Sequence, residues 1–127
     1  MVLTQLGLVQ RLPWSPLQLL KLGLPVLVLG YALMAAATDI THLWGAMVCF
    51  GAGMGITVPA FNAGASLSVG PHEQGALAGL LGSAASLGYL FGPLLGGYLY
   101  GLAPALPFWV AAFALLPLTV FIWLQRR

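Results

Sequence analysis

The chain of 127 residues is 61% hydrophobic and only 5% charged, with a net charge of +2, far from the quarter or so of charged residues in a soluble domain. That composition excludes an ordinary water-soluble domain and indicates an integral membrane protein. Arg11, Lys21, Arg126 and Arg127 are too few and too scattered to form a nucleic-acid surface, and a single Cys49 excludes an intrachain disulfide and a cysteine metal cluster.

In chain order, residues 1–14 read as the end of a preceding helix followed by a link. Met1 to Leu12 is apolar but too short to cross a bilayer, and it has no basic leader before its apolar residues, so no cleavable signal is expected. Residues 15–127 read as an all-α transmembrane bundle with spans at about 17–37, 43–69, 74–100 and 107–124. Ser15 is placed to cap the first helix and Pro16 sits at its first position, where a missing N–H costs nothing. Lys21 lies one turn inside, able to lay its stem along the helix and lift its ammonium to the headgroups. Thr38 to His42 form a polar link with His42 as a loop histidine. The second span is broken up by Gly51, Gly53, Gly55 and Pro59.

A polar hinge, Gly70 to Gln74, opens the third span, whose small residues fall at nearly every third or fourth position. At 100° per residue Gly75, Gly79, Gly82, Ser83 and Ser86 cluster on one face, and Gly88, Gly92 and Gly96 lie roughly opposite, so two different neighbours are expected along its length. Pro93 is expected to bend it, with Gly96 and Gly97 leaving the bend open to a close neighbour. All but Gly7, Gly23 and Gly30 of the 17 glycines lie between Gly45 and Gly101, whereas Leu106 to Leu124 has none. Packing between helices in lipid depends on small residues. The second and third helices are therefore expected inside, the bulky fourth at the periphery and the first leaning to lipid.

Four spans with short loops put both ends on one side, and all four Lys and Arg residues fall on that side with His72. By the positive-inside rule both termini are cytoplasmic in a cell membrane, with the Asp39 link and the 101–106 loop facing outward. Trp14, Trp44, Trp109 and Trp123 each lie near a helix end, where the interface suits an amphipathic ring.

Phe50, Met54, Thr57 and Phe61 share a band of about 60° on the second helix. This face reads either as a surface for hydrophobic cargo or as one meeting lipid or a neighbouring helix. Asn62, a carboxamide within a span, either bonds another helix or faces a cavity. Ser83, Ser86 and Tyr89 are weaker cavity candidates, since a serine in a helix can bond its own backbone four residues back. Glu73 in a first turn favours the positive end of the helix dipole over proton chemistry. Two distant histidines make no metal site, and no nucleophile, base and acid occur together, so neither metal, cofactor nor enzyme activity is expected.

Gly51-x-Gly53-x-Gly55, Pro59, then Val69-Gly70-Pro71-His72-Glu73-Gln74-Gly75, Gly79-Leu80, Gly88 and Gly92-Pro93-Leu94-Leu95-Gly96-Gly97-Tyr98-Leu99-Tyr100 resemble the C-terminal half of a major facilitator superfamily transporter. The likeness is nearest to drug:proton antiporters and related bacterial exporters. It covers essentially the whole chain, with the four spans standing for the ninth to twelfth helices of the fold and residues 1–14 for the end of the eighth and its link. Where the family often carries several basic residues in that link, Pro13, Trp14, Ser15 and Gln18 stand here. The resemblance implies alternating access to a midplane site between two six-helix halves, export of small hydrophobic or drug-like molecules across a bacterial inner membrane, and proton coupling from helices outside this chain. It implies as partners the remaining helices, membrane lipids and a small-molecule substrate. It also assigns Gly75, Gly79, Gly88, Gly92, Pro93, Gly96 and Gly97 to helix packing and gating. The other class in play is a stand-alone four-helix membrane peptide or truncated product with a structural or assembly role and no transport alone. A dimeric small multidrug exporter is disfavoured, because Asp39 and Glu73 both lie in links rather than within a span.

Overall fold

The computed structural model describes residues 14–125. The expected helix end and link at residues 1–14 thus fall, except for Trp14, outside the described residues, as do Arg11, Arg126 and Arg127. Four α-helices, α1 (Pro16–Ala35), α2 (Ile40–Leu67), α3 (Gln74–Leu102) and α4 (Leu106–Leu124), follow one another, with a short 3-10 turn at Pro71–Glu73 before α3. All four are long and apolar enough to cross a membrane.

The helix starts follow from local chemistry. Ser15 accepts the Gln18 amide at 3.4 Å while its own amide donates to Gln18 Oε1 at 2.9 Å, a reciprocal cap with Pro16 at the first position. Asp39 Oδ1 accepts the His42 amide at 2.9 Å, so α2 begins at Ile40 and His42 lies in its first turn, not in a loop. Between α2 and α3, Glu73 Oε2 accepts the Gly70 amide at 3.2 Å. Gln74 then reaches back: its Nε2 donates to the Ser66 carbonyl at 2.8 Å and its Oε1 accepts the Ser66 hydroxyl at 2.9 Å. One side chain thus satisfies a carbonyl left free at the end of α2 and ties α3 to it.

Packing centres on α1, which lies against both α2 and α4. The α1–α2 pair is antiparallel, from Pro16 beside Gly64 at one end to Gly30 beside Phe50 further along. A Cβ placed on Gly30 would stand 2.7 Å from the Phe50 backbone, and one on Gly53 would stand 2.7 Å from that of Leu27. The two backbones therefore touch, each glycine receiving the opposing chain. Leu19, Leu24, Leu27, Ala46, Ile56 and Ala60 are buried around this seam, and Tyr31 closes on Phe50 edge to face, 5.0 Å between ring centres.

This arrangement reverses the expected placing of two helices. α1, expected to lean to lipid, is the hub; α4, expected at the periphery, packs on it along one side with only Ala112 buried. α3, expected inside, contains no buried residue. At Gly75, Gly79, Gly82, Gly88, Gly92, Gly96 and Gly97 a Cβ would meet nothing within 4 Å, so none of these glycines packs against another described residue. The number of glycines misled because contact depends on register: Gly23 and Gly30, seven residues apart with Leu27 between them, present one continuous face to α2.

Gly30→Ala and Gly53→Ala are each expected to lower thermal stability in detergent micelles by about 1–3 kcal/mol, since backbone must move to admit the methyl group. Gly92→Ala should leave the midpoint unchanged or raise it, because the site is open and alanine is the better helix former. Equal losses at the three positions would show that the α1–α2 seam is not the seat of stability.

Candidate functional site

α2 and α4 flank α1 without touching each other. The space between them is a cavity of about 290 Å³, floored by Leu20, Leu24 and Leu27 of α1 and walled by Thr57, Val58 and Phe61 of α2 and by Leu115, Leu118 and Ile122 of α4. Every lining residue except Thr57 is a hydrocarbon side chain or a phenyl ring. The cavity can hold an apolar group by shape and dispersion, without directional bonds.

Thr57 is the exception in a specific way. Its hydroxyl is buried and has no hydrogen-bond partner, and it is turned towards α1, where a Cβ on Gly23 would stand 2.5 Å from Oγ1. Gly23 thus makes room for an oxygen that gains nothing from being there. Nearby, Cys49 Sγ is 3.5 Å from the Val26 carbonyl, a weak bond across the same seam.

One end of the groove is fastened by a reciprocal contact. Pro25 has no amide hydrogen, so the Lys21 carbonyl one turn earlier lacks its usual helical donor. The Trp123 indole supplies one, Nε1–H donating to that carbonyl at 3.1 Å, while Lys21 Nζ donates to the Gln125 carbonyl at 2.6 Å beyond the end of α4. The ammonium does not simply rise to headgroups; it closes α1 on α4. The sequence signal for this contact is Pro25 four residues after Lys21, which leaves a carbonyl in want of a donor.

Of the sequence-predicted cavity residues, the structure brings Thr57 and Phe61 together in this groove. Phe50 is directed to Tyr31, and Met54 is half-buried on α2 outside the groove lining. Asn62 is exposed. Ser83 and Ser86 bond back to the carbonyls of Gly79 and Gly82 at 2.8 and 2.9 Å, and Tyr89 is 81% exposed, all three far along the chain on uncovered α3. Leu115, Leu118 and Ile122 were missed because nothing in α4 alone shows which of its faces meets α1.

The family model described as Major Facilitator Superfamily matches residues 7–127. The chain belongs to the major facilitator superfamily. No curated protein and no solved structure matches it. As a superfamily member with four membrane-length helices, it is an all-α membrane protein of transporter type.

Thr57→Val removes the unpartnered hydroxyl at nearly constant shape, and leaving such a group buried costs about 1–3 kcal/mol. The variant is expected to melt at a higher temperature than the parent chain, while Trp123→Phe, which frees the Lys21 carbonyl again, should melt lower by the equivalent of about 1 kcal/mol. Destabilisation by Thr57→Val would mean that the hydroxyl has a partner after all.

Proposed function

We propose that the chain is the C-terminal part of a secondary active transporter, its ninth to twelfth helices, which exports small hydrophobic or drug-like molecules by alternating access. The observation that carries this reading is the superfamily match over nearly the whole chain, and the sequence resemblance to exporters of the drug:proton type gives it direction. In that scheme the apolar groove beside Thr57 and Phe61 contributes a surface for hydrophobic cargo, and α3 offers its open glycine faces to the remaining helices. Proton coupling comes from those other helices. The two described carboxylates, Asp39 and Glu73, serve as a helix cap and a turn closure at the membrane edge, a poor position for exchanging protons across the bilayer.

The reading carries an orientation with it. Lys21 meets Gln125, and Pro16 lies beside Gly64, so the start of α1 and the ends of α2 and α4 share one side. With Arg126 and Arg127 following Gln125, that side is assigned to the cytoplasm of a bacterial inner membrane. A stand-alone membrane peptide with a structural role is the second reading, favoured by one observation: α2 and α4 both already pack on α1.

Single cysteines at Thr41 and Ala103, in a background lacking Cys49, should react with an impermeant maleimide from outside the cell, and one at His72 should not. The reverse pattern would overturn the orientation. In proteoliposomes, this chain alone is expected to give no proton-driven flux of a hydrophobic dye, and the chain supplied with the remaining helices is expected to give it. Flux from the chain alone would refute the division of labour proposed here, and none with all helices present would favour the structural role.

A further inference from the structure

The groove beside Thr57 has a direction as well as a chemistry. Leu20, Leu24 and Leu27 follow one another at one-turn spacing on α1, and Leu115, Leu118 and Ile122 do so on α4, so the groove runs along the helix axes for about 10 Å. Helices that cross a bilayer stand close to its normal, the direction in which lipid chains also lie. The groove opens sideways as well: Phe61 and Leu118, on its two walls, are 51% and 48% exposed. A hydrocarbon chain can thus enter from the bilayer without passing through water. Because the Thr57 hydroxyl is turned to α1, what faces the space is hydrocarbon, which holds a chain by dispersion alone.

Dispersion does not distinguish one lipid from another, but the mouth of the groove does. The groove begins at Leu20, next to Lys21, and its α4 wall ends at Ile122, next to Trp123, so its mouth is the Lys21–Gln125 closure. An ammonium has three N–H donors. One goes to the Gln125 carbonyl at 2.6 Å, and two remain. After Gln125 the sequence continues with Arg126 and Arg127. Three of the four Lys and Arg residues are therefore tied to this end, by hydrogen bond or by chain connection, and no carboxylate lines the groove. Asp39 caps α2 at the opposite end. Glu73, on the same side, closes its own turn on the Gly70 amide ahead of α3, a helix that contributes nothing to the lining. A hydrocarbon slot with a positive mouth matches a molecule with a long chain and an anionic head.

We propose that this groove holds one acyl chain of an anionic phospholipid, whose phosphate meets Lys21 and the arginines after Gln125 at the mouth. Lys and Arg beside a membrane surface favour anionic over neutral headgroups. The lipid is the resident occupant that any cargo entering the groove displaces. Its retention needs no transport and no particular orientation across the membrane, so the proposal stands or falls apart from the export reading.

The full chain in nanodiscs with equal amounts of phosphatidylglycerol and phosphatidylcholine, bearing identical chains, can be released and its retained lipid weighed by native mass spectrometry. Phosphatidylglycerol should be retained at least about tenfold over phosphatidylcholine. Equal retention by the unsubstituted chain would overturn the proposal without recourse to any variant. Leu118→Trp fills the groove and leaves every cation in place, and should lower retained phosphatidylglycerol about fivefold. Leu29→Trp, the same bulk at an exposed position of α1 outside the groove, should not lower it. Equal loss in the two variants would show that lipid clings to the bundle at large. Replacing both arginines, Arg126→Gln with Arg127→Gln, should reduce the preference for phosphatidylglycerol to about threefold or less while the groove stays intact. Glycerophosphoglycerol, the head without its chains, should not displace the lipid; displacement would mean a site for the phosphate alone and would also overturn the proposal.

Discussion

The structure depends on the closeness with which α1 and α2 approach. Lipid tails are as apolar as leucine, so no hydrophobic drive holds membrane helices together, and attraction must come from many short-range contacts. Those contacts fall off within an ångström, which makes the distance between backbones the controlling variable. Gly23, Gly30 and Gly53 set it: each faces the backbone or an inner side-chain atom of the other helix at a distance that excludes even a methyl group. Leu27 sits between the two α1 glycines and covers Gly53, so large and small residues alternate along the seam. With α1 held in this way, α4 can pack on its other side and leave a groove between itself and α2.

A second constraint is that backbone polar groups in a bilayer have no water to fall back on. Three links meet it with side chains that serve two helices at once. Trp123 takes the carbonyl released by Pro25, Lys21 takes the Gln125 carbonyl past the end of α4, and Gln74 takes the Ser66 carbonyl near the end of α2. Each satisfies a group that the local helix cannot satisfy, and each also fixes a tertiary contact. Thr57 stands as the contrary case, a buried hydroxyl with no such return.

The sequence showed the class and the four membrane-length helices clearly, because composition and long apolar runs respond to the bilayer alone. The caps were legible for the same reason: Ser15 with Pro16 is local chemistry. What could not be read was which helix packs on which. Counting glycines pointed to α3, yet its glycines contact none of the described residues, while two glycines seven residues apart made α1 the centre. A small residue records that a backbone can be approached; the approaching partner must also be present with the right register. The site suffered likewise. Thr57 and Phe61 were found from spacing on one helix, but the wall given by Leu115, Leu118 and Ile122 exists only once α4 has docked on α1.

α3 remains the helix whose composition calls for a physical reason. Each glycine in a helix interior costs up to about 1 kcal/mol relative to alanine, and α3 carries Gly75, Gly79, Gly82, Gly88, Gly92, Gly96, Gly97 and Gly101 with no described neighbour to offset it. Serines 83 and 86 spend their hydroxyls on their own backbone, so they contribute no link either. Hydrocarbon gives nothing back for this, since a smooth helix of leucine would suit lipid better. Close approach by other backbones on two faces would offset that cost, since the small residues before Ser86 and after Leu87 lie on opposite sides. Under the proposed function those backbones are the remaining helices of the transporter. α3 is then the helix of this chain that joins its packed core of α1, α2 and α4 to the rest of the molecule.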